Sequence, residues 1–259
     1  METKATNCAT LATQLGPEEY HLWRARGAFH TQVEYPFLVG LLRSYTPQRV
    51  FDIGTGTGLW ATICAAMFPE AEVVGIDCER SFLEFARLNA RRRIGCLYAD
   101  LTKEVPPGAA DLLVCAMSVD YIGCDAVADL LPRVLLPGGY GILWYLDQMH
   151  YQKEGARCLK HWRVDRRNVE VSVCVLEDGE LASRVSRLGL EVTPRTTSFF
   201  LEDGRQRILR VLIVRKPKEG RFVNCKRGHE MIRAKLASGG GDVQLCHERE
   251  WSSGSRGHP

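Results

Sequence analysis

The sequence predicts an α/β protein built on a doubly wound, mostly parallel sheet, with helices on both faces and an N-terminal helical cover. Three observations lead there. From about residue 49, short apolar runs alternate with amphipathic segments, the pattern of parallel strands joined by helical crossovers. One run, Arg49-Val50-Phe51-Asp52-Ile53, passes directly into Gly54-Thr55-Gly56-Thr57-Gly58, a turn that demands glycine's conformational freedom and precedes a helix. Two further runs end at an acid, Asp77 and Asp100. Ligands of such sheets bind beyond the carboxyl ends of the strands, which is where these acids fall.

The elements follow in order. Residues 1–16 are small and polar without periodicity and are expected to be disordered. Pro17-Glu18-Glu19 starts a helix, with proline early and acids in the first turn. The aromatic-rich stretch to about Tyr45 reads as one or two helices broken near Pro36. The first strand is Arg49 to Ile53, and a helix runs from Leu59 to Phe68, stopped by Pro69. Ala71 to Asp77 is the second strand. Ser81 to Arg92 is a helix with Phe82, Leu83, Phe85, Ala86 and Leu88 on its apolar side, and Ser81 with Glu84 offers a capping box. Ile94 to Ala99 and Asp111 to Met117 are strands three and four. A helix from about Asp125 to Leu135 ends at Leu136-Pro137-Gly138-Gly139, and Tyr140 to Leu146 is the fifth strand. Gln148 to Arg167 is polar and basic around Trp162 and reads as a solvated loop or an insertion covering an acceptor. Val169 to Leu176 is strand-like and Glu180 to Leu188 helical. Glu191 to Phe200 and Arg207 to Val214, around Glu202-Asp203-Gly204, form a closing hairpin.

These elements divide the chain into a disordered 1–16, a domain over 17–216 and a flexible tail over 217–259 rich in Ser and Gly. Within the domain, 17–48 form the helical cover, 49–147 the ligand-binding core, and 148–216 the insertion with the C-terminal half of the sheet. With 259 residues and 45% hydrophobic content, the chain can bury one large core. The formal net charge of +3 arises from Lys218 onward, where eight Lys/Arg face five Asp/Glu. A balanced body argues against nucleic acid as the partner, and Arg91-Arg92-Arg93 suits a solvated helix C-terminus. The ten cysteines include several inside apolar runs, such as Cys64, Cys115 and Cys174, and there is no apolar leader. A reduced, cytoplasmic protein is expected. Cys225, His229, Cys246 and His247 match no standard zinc spacing, so no metal is expected. No apolar run reaches the roughly 20 residues of a membrane span.

The glycine spacing separates two classes of ligand. A dinucleotide fingerprint is G-x-G-x-x-G, but here the spacing is G-x-G-x-G and Leu59 stands at the final dinucleotide position. Asp52, just inside the loop, sits badly beside a pyrophosphate and well beside a cationic group. Gly75-Ile76-Asp77, then Ala99-Asp100-Leu101, then Asp111 to Met117 and Leu135-Leu136-Pro137-Gly138-Gly139 follow at regular intervals. In this order the segments resemble those of the class I S-adenosylmethionine-dependent methyltransferases, over about Val50 to Val214.

The resemblance implies a seven-stranded sheet with an antiparallel last strand and S-adenosyl-L-methionine as cofactor. It implies that Gly54, Thr55, Gly56 and Gly58 approach the methionine part, with Asp52 near its ammonium. Asp77 would fix the ribose and Asp100 the adenine edge, with Cys78 and Leu101 against the base and Met117 closing the set. On the acceptor side the candidates are His30, Asp120, Tyr121 and His150, with Ser118, Tyr145, Asp147, Tyr20, Trp23 and Arg24 nearby. His30 or His150 would serve as base where the acceptor must lose a proton. Met117-Ser118-Val119-Asp120-Tyr121 departs from the Asn/Asp-Pro-Pro-Tyr pattern of members acting on nucleobase amino groups or protein amides. The paired-metal and lysine arrangement of catechol-type enzymes is also missing. A small organic acceptor is therefore expected, with O-, N- or C-methylation and the oligomeric state left open. Competing readings are an RNA or protein methyltransferase, a catalytically inactive regulator or subunit, and, more remotely, a nicotinamide oxidoreductase.

Overall fold

A computed structural model describes residues 15–218 except 28, 91–92, 147–150, 155–156, 165–166, 174–178 and 201–205. Over the second, smaller sheet it describes the backbone alone. The expected disorder of 1–16, apart from residues 15 and 16, lies outside the described residues. So do the tail from 219 onward with its Cys/His set, the hairpin turn at 202–204 and two of the three arginines at 91–93.

The main sheet has seven strands in the order β3-β2-β1-β4-β5-β10-β9. These are β1 (Arg49–Ile53), β2 (Glu72–Asp77), β3 (Gly95–Tyr98), β4 (Ala110–Ala116), β5 (Leu135–Leu146), β9 (Glu191–Phe200) and β10 (Gln206–Arg215). The pairs among β1 to β5 are parallel, while β10 lies antiparallel between β5 and β9. The expected fold class is therefore the observed one. The strand order reverses between β1 and β4, which makes the ends of these two strands the switch point where ligands of such sheets bind.

The helices are α1 (Pro17–Arg26), α2 (Tyr35–Leu42), α3 (Leu59–Met67), α4 (Arg80–Asn89), α5 (Val119–Ile122), α6 (Cys124–Val134) and α7 (Glu180–Arg187). Side chains alternate across the strands, and the two faces bury separate cores. On one face Phe51, Ile53, Leu113, Cys115 and Leu143 pack with Val127 and Leu131 of α6 and with Leu181 and Val185 of α7. On the other, Val50, Leu112, Val114, Ile142 and Trp144 pack with Leu38 and Leu42 of α2, Trp60 and Cys64 of α3 and Ala86 of α4. Burying both faces explains why the central strands read as continuous apolar runs.

Several expectations need correction. The cover breaks at Gly27, not near Pro36. A π-helical turn, His30–Glu34, leads straight into α2, and Pro36 stands just past that junction, in the first turn of α2. A Cβ on residue 27 would meet the Trp23 carbonyl at 2.9 Å. The Ser81–Glu84 capping box does not form, because Glu79 caps α4 by accepting from the Ser81 amide (3.1 Å) and hydroxyl (2.7 Å). The basic stretch after β5 is not a loop. With the strand-like segment after it, it forms a second, antiparallel sheet of β6 (Tyr151–Glu154), β7 (Arg157–Val164) and β8 (Arg167–Val173). Its register sets Trp162 opposite Val169 and Cys158 opposite Val173, a period of two that the intervening Arg and Lys residues obscure.

The far end of the main sheet is closed by Lys216. Its Nζ donates to the Pro132 carbonyl (2.7 Å) and the Leu135 carbonyl (2.8 Å), satisfying acceptors at the C-terminus of α6. No described helix is long and apolar enough to cross a membrane. Cys64, Cys78, Cys96, Cys115 and Cys124 are free thiols.

Candidate functional site

The site begins where β1 ends. The amides of Gly54 and Thr55 both donate to the Ile76 carbonyl (2.8 and 3.1 Å), so the glycine loop is fastened to β2 as the chain leaves the sheet. Gly54, Gly56 and Gly58 all have positive φ, which side-chain-bearing residues adopt only with strain. Their missing Cβ atoms answer different needs. At Gly54 a Cβ would stand 2.5 Å from that of Ser118, and at Gly58 2.7 Å from that of Ala86. Two of the three glycines thus let protein parts meet, Ser118 over the loop and α4 against the start of α3. At Gly56 the nearest atom belongs to Tyr20, at an ordinary 3.4 Å.

Asp52 lies beneath this loop and is buried. Its Oδ2 accepts the Thr55 hydroxyl at 2.6 Å, and its Oδ1 has no hydrogen-bond partner among the described residues. Burial pushes its carboxyl up to about 7, against the lowering effects of the Thr55 hydroxyl and the Ala61 amide. A buried acceptor without a donor is rare and asks for a ligand or a proton. Asp77, at the end of β2, is also buried. Its Oδ2 accepts the Gly56 amide (2.7 Å) and its Oδ1 the Glu79 amide (2.9 Å). Burial raises its pKa, with the amides of Gly56, Glu79 and Cys78 opposing the shift. Each oxygen keeps acceptor capacity for one further donor.

Asp100 follows β3 and is only partly buried. Its Oδ1 takes the Thr102 amide (3.1 Å) and hydroxyl (2.6 Å), and Oδ2 pairs with Lys103 at 2.6 Å. Burial works against its ionisation, but Lys103 and Thr102 outweigh it and hold the carboxyl below its ordinary range. Leu101 is buried and Cys78 half-buried. Met117, at the end of β4, is the one non-glycine residue with positive φ among the described residues, and its amide donates to the Trp144 carbonyl at 2.9 Å. Such strain persists only where neighbours enforce it, and it clusters at functional sites. It turns the chain so that Ser118 Oγ lies 3.0 Å from the carbonyl oxygens of both Gly54 and Ala116.

The cover closes the site from above. Tyr20 stacks on Phe82 with ring centroids 5.0 Å apart, and His21 Nδ1 lies 3.1 Å from Thr57 Oγ1. Behind them is a buried polar cluster that the sequence did not reveal. Glu34 Oε1 accepts from the indoles of Trp144 (2.8 Å) and Trp60 (3.3 Å) and from Arg24 Nη2 (3.2 Å); Oε2 accepts from Arg24 Nη1 (3.3 Å) and from His30 Nδ1. Burial opposes ionisation of Glu34, yet the Arg24 guanidinium, with the His30 and Trp144 donors, brings its carboxyl down to about 2. Burial likewise disfavours the Arg24 cation, and Glu34 more than offsets it. Burial and the Arg24 charge lower the pKa of His30, leaving it neutral at pH 7. Since an ionised Glu34 only accepts, His30 carries its proton on Nδ1 and donates it there.

His30, one of the expected bases, is 3% exposed with Nδ1 committed to Glu34, the geometry of an anchor for the cover. Asp120 and Tyr121 lie on the single turn of α5 after Ser118, the first fully buried and the second half-buried. His150 and Asp147 lie outside the described residues. Arg24, expected on the acceptor side, lies at the glycine loop. With Tyr20, Asp52, Gly54, Thr55, Thr57, Leu59, Trp60 and Ala116 it lines a narrow pocket of about 10 Å³ at the switch point, room for about one water.

Comparison with known proteins agrees with this geometry. Residues 50–139 match the model of a methyltransferase domain family. A tRNA1(Val) (adenine(37)-N6)-methyltransferase of Vibrio parahaemolyticus is 34% identical over 79 residues, which are 29% of this chain and 33% of that protein. A trans-aconitate 2-methyltransferase of Methylobacterium radiotolerans is 36% identical over 96 residues, 36% of each chain. A demethylmenaquinone methyltransferase of Thermus thermophilus is 36% identical over 106 residues, 39% of this chain and 48% of its own. The chain thus spans a third to a half of the length of these relatives. Among solved structures, the DhpI–SAH complex superposes with a TM-score of 0.56 at 15% identity, covering 78% of this chain and 93% of that one. An S-adenosylmethionine-dependent methyltransferase from Clostridium acetobutylicum gives 0.56 at 13% identity, covering 82% and 100%. At such identities these structures share the fold.

Proposed function

We propose that this chain, which belongs to the class I S-adenosylmethionine-dependent methyltransferase family, binds S-adenosylmethionine at the ends of β1, β2 and β3 and transfers its methyl group to a small organic acceptor. One observation carries the reading. At the switch point of the sheet, directly under the glycine loop, Asp52 presents a buried oxygen with no donor. An ammonium group fills that need, whereas a pyrophosphate would set charge against like charge.

The other residues then have distinct tasks. Asp77, held by the Gly56 and Glu79 amides, offers its remaining acceptor capacity to the ribose hydroxyls. Asp100 with Leu101 and Cys78 receives the adenine. The cofactor supplies a methyl group already activated on a sulfonium, so the protein's share is alignment and exclusion of water. Ser118, fixed over Gly54 by the strained Met117, and α1, laid across the loop by Tyr20 and His21, wall the space for that alignment. A base is required only for an acceptor that must lose a proton. The remaining candidates, Asp120, Tyr121 and His150, follow β4 and β5. The free thiols of the core suit a reducing, cytoplasmic setting.

The relatives include enzymes named for small acids, quinones and tRNA. Met117-Ser118-Val119-Asp120-Tyr121 after β4, without the Asn/Asp-Pro-Pro-Tyr pattern, favours the small acceptor over a nucleobase amino group. The test is incubation with methyl-deuterated S-adenosylmethionine and a metabolite extract or total RNA in parallel, read by mass spectrometry. A labelled metabolite is the expected result. Label confined to RNA would overturn the acceptor class, and no label in any fraction would favour a regulator that has lost turnover.

A further inference from the structure

We propose that Arg24 reads the carboxylate of the ligand's amino-acid end opposite Asp52, and that Glu34 is the positioning residue that holds Arg24 in place. The inference rests on the cofactor reading above and extends it to two residues outside the segment 50–139 that the family model covers.

The pocket at the switch point has an anion and a cation in its walls. Asp52 comes from β1 and Arg24 from α1, and both line the same space. An α-amino acid is the chemical class that complements both walls at once, ammonium to Asp52 and carboxylate to the Arg24 N–H groups that Glu34 leaves over. A phosphate would satisfy only the Arg24 wall and set like charge against Asp52.

Arg24 has donors to spare. A guanidinium carries five N–H groups. Glu34 takes one from each Nη, and His30, whose Nδ1 proton goes to Glu34, lies with its accepting Nε2 3.5 Å from Nη1 and takes a third. Two N–H groups therefore remain, one on Nε and one on Nη2, a planar fork matched to a carboxylate.

Glu34 decides where that fork points. Its carboxylate is gripped by indole N–H groups from two elements of the core, Trp60 on α3 and Trp144 on β5. Those rings pack edge-to-face with centroids 4.8 Å apart. A flexible arginine on the cover is thereby tied to the sheet through one buried acid. The pocket is too narrow for an amino-acid group as it stands, so α1 shifts as the ligand enters, and the Glu34 tie carries Arg24 back to Asp52 when the cover settles.

The experiment is calorimetric titration of the full chain with S-adenosylhomocysteine and with its decarboxylated analogue, which keeps the adenosine and the amine. The unaltered protein is expected to favour the carboxylate-bearing ligand. Arg24→Lys, which keeps the charge and loses the fork, should reduce that preference by about tenfold, almost wholly through the carboxylate-bearing ligand. Glu34→Gln, which keeps an acceptor for the indoles but frees the guanidinium, should reduce it by a smaller factor in the same direction. Where a single substitution unfolds the cover, Arg24→Met with Glu34→Met removes both charges together and should abolish the preference. Equal losses for both ligands would mean a purely structural role and overturn the proposal, as would a preference that survives Arg24→Lys or the double substitution. Failure of the unaltered protein to bind either ligand would instead overturn the cofactor reading itself.

Discussion

Asp52 joins burial to a free acceptor, and its chemistry has a direct consequence for pH dependence. Its carboxyl is pushed up to about 7 by burial, with Thr55 opposing, so the ligand-free protein holds a proton there below neutrality. An ammonium ligand binds the ionised form, and binding must release that proton. Affinity for S-adenosylhomocysteine should rise with pH and level off above about 7, and on the acid side it should fall by up to about tenfold per pH unit. Calorimetry in buffers of different ionisation enthalpy reads the proton release; a dissociation constant unchanged between about pH 5.5 and pH 8 would contradict the assignment. Asp52 and Asp77 were legible in the sequence because acids at strand ends beside glycines have few structural reasons to be there. Glu34 was not. An acid between helical aromatics reads as a solvent-facing residue, and its burial depends on Trp144, which lies 110 residues further along the chain.

Among the elements, the glycine loop shows how one motif answers several packing demands. Gly58 has φ +78°, and a Cβ there would lie 2.7 Å from Ala86 of α4 and 3.2 Å from Ile94. Gly58→Ala should therefore destabilise the protein by about 2–4 kcal/mol, combining left-handed strain with overpacking at the α3–α4 contact. Gly16→Ala is the control, since nothing lies within 4 Å, and should cost under about 1 kcal/mol. Urea denaturation measures both, and equal midpoints would mean that Gly58 serves a ligand and not the helix contact. The helices and strands of the core were legible to within a few residues because their periods are clean. The exception is β5, which begins at Leu135, where the Leu136-Pro137-Gly138-Gly139 turn suggested a later start. Ala110 pairs there with Leu135 before the register shifts, and Gly138 and Gly139 continue the ladder to Lys216. The sheet β6–β8 was hidden because charged residues stand where a half-buried strand carries apolar ones.

For the whole molecule, the reversal of strand order between β1 and β4 gathers residues distant in sequence. Arg24, Asp52 and Ala116 line one pocket, and the cover that contributes the first of them is fixed through Trp60 and Trp144 to the sheet. The acids and glycines proposed to hold the cofactor were legible in the sequence, since they are local to the strand ends. It did not locate the role of the cover, because pairing Arg24 with Glu34 across the break at Gly27, and Glu34 with the sheet, requires the tertiary fold. The account stands on the identity of the ligand at the switch point, and titration of the full chain with S-adenosylmethionine and NAD in parallel measures it most directly. Saturable one-to-one binding of S-adenosylmethionine with no heat from NAD is the predicted result, and saturable binding of NAD without any of S-adenosylmethionine would contradict it.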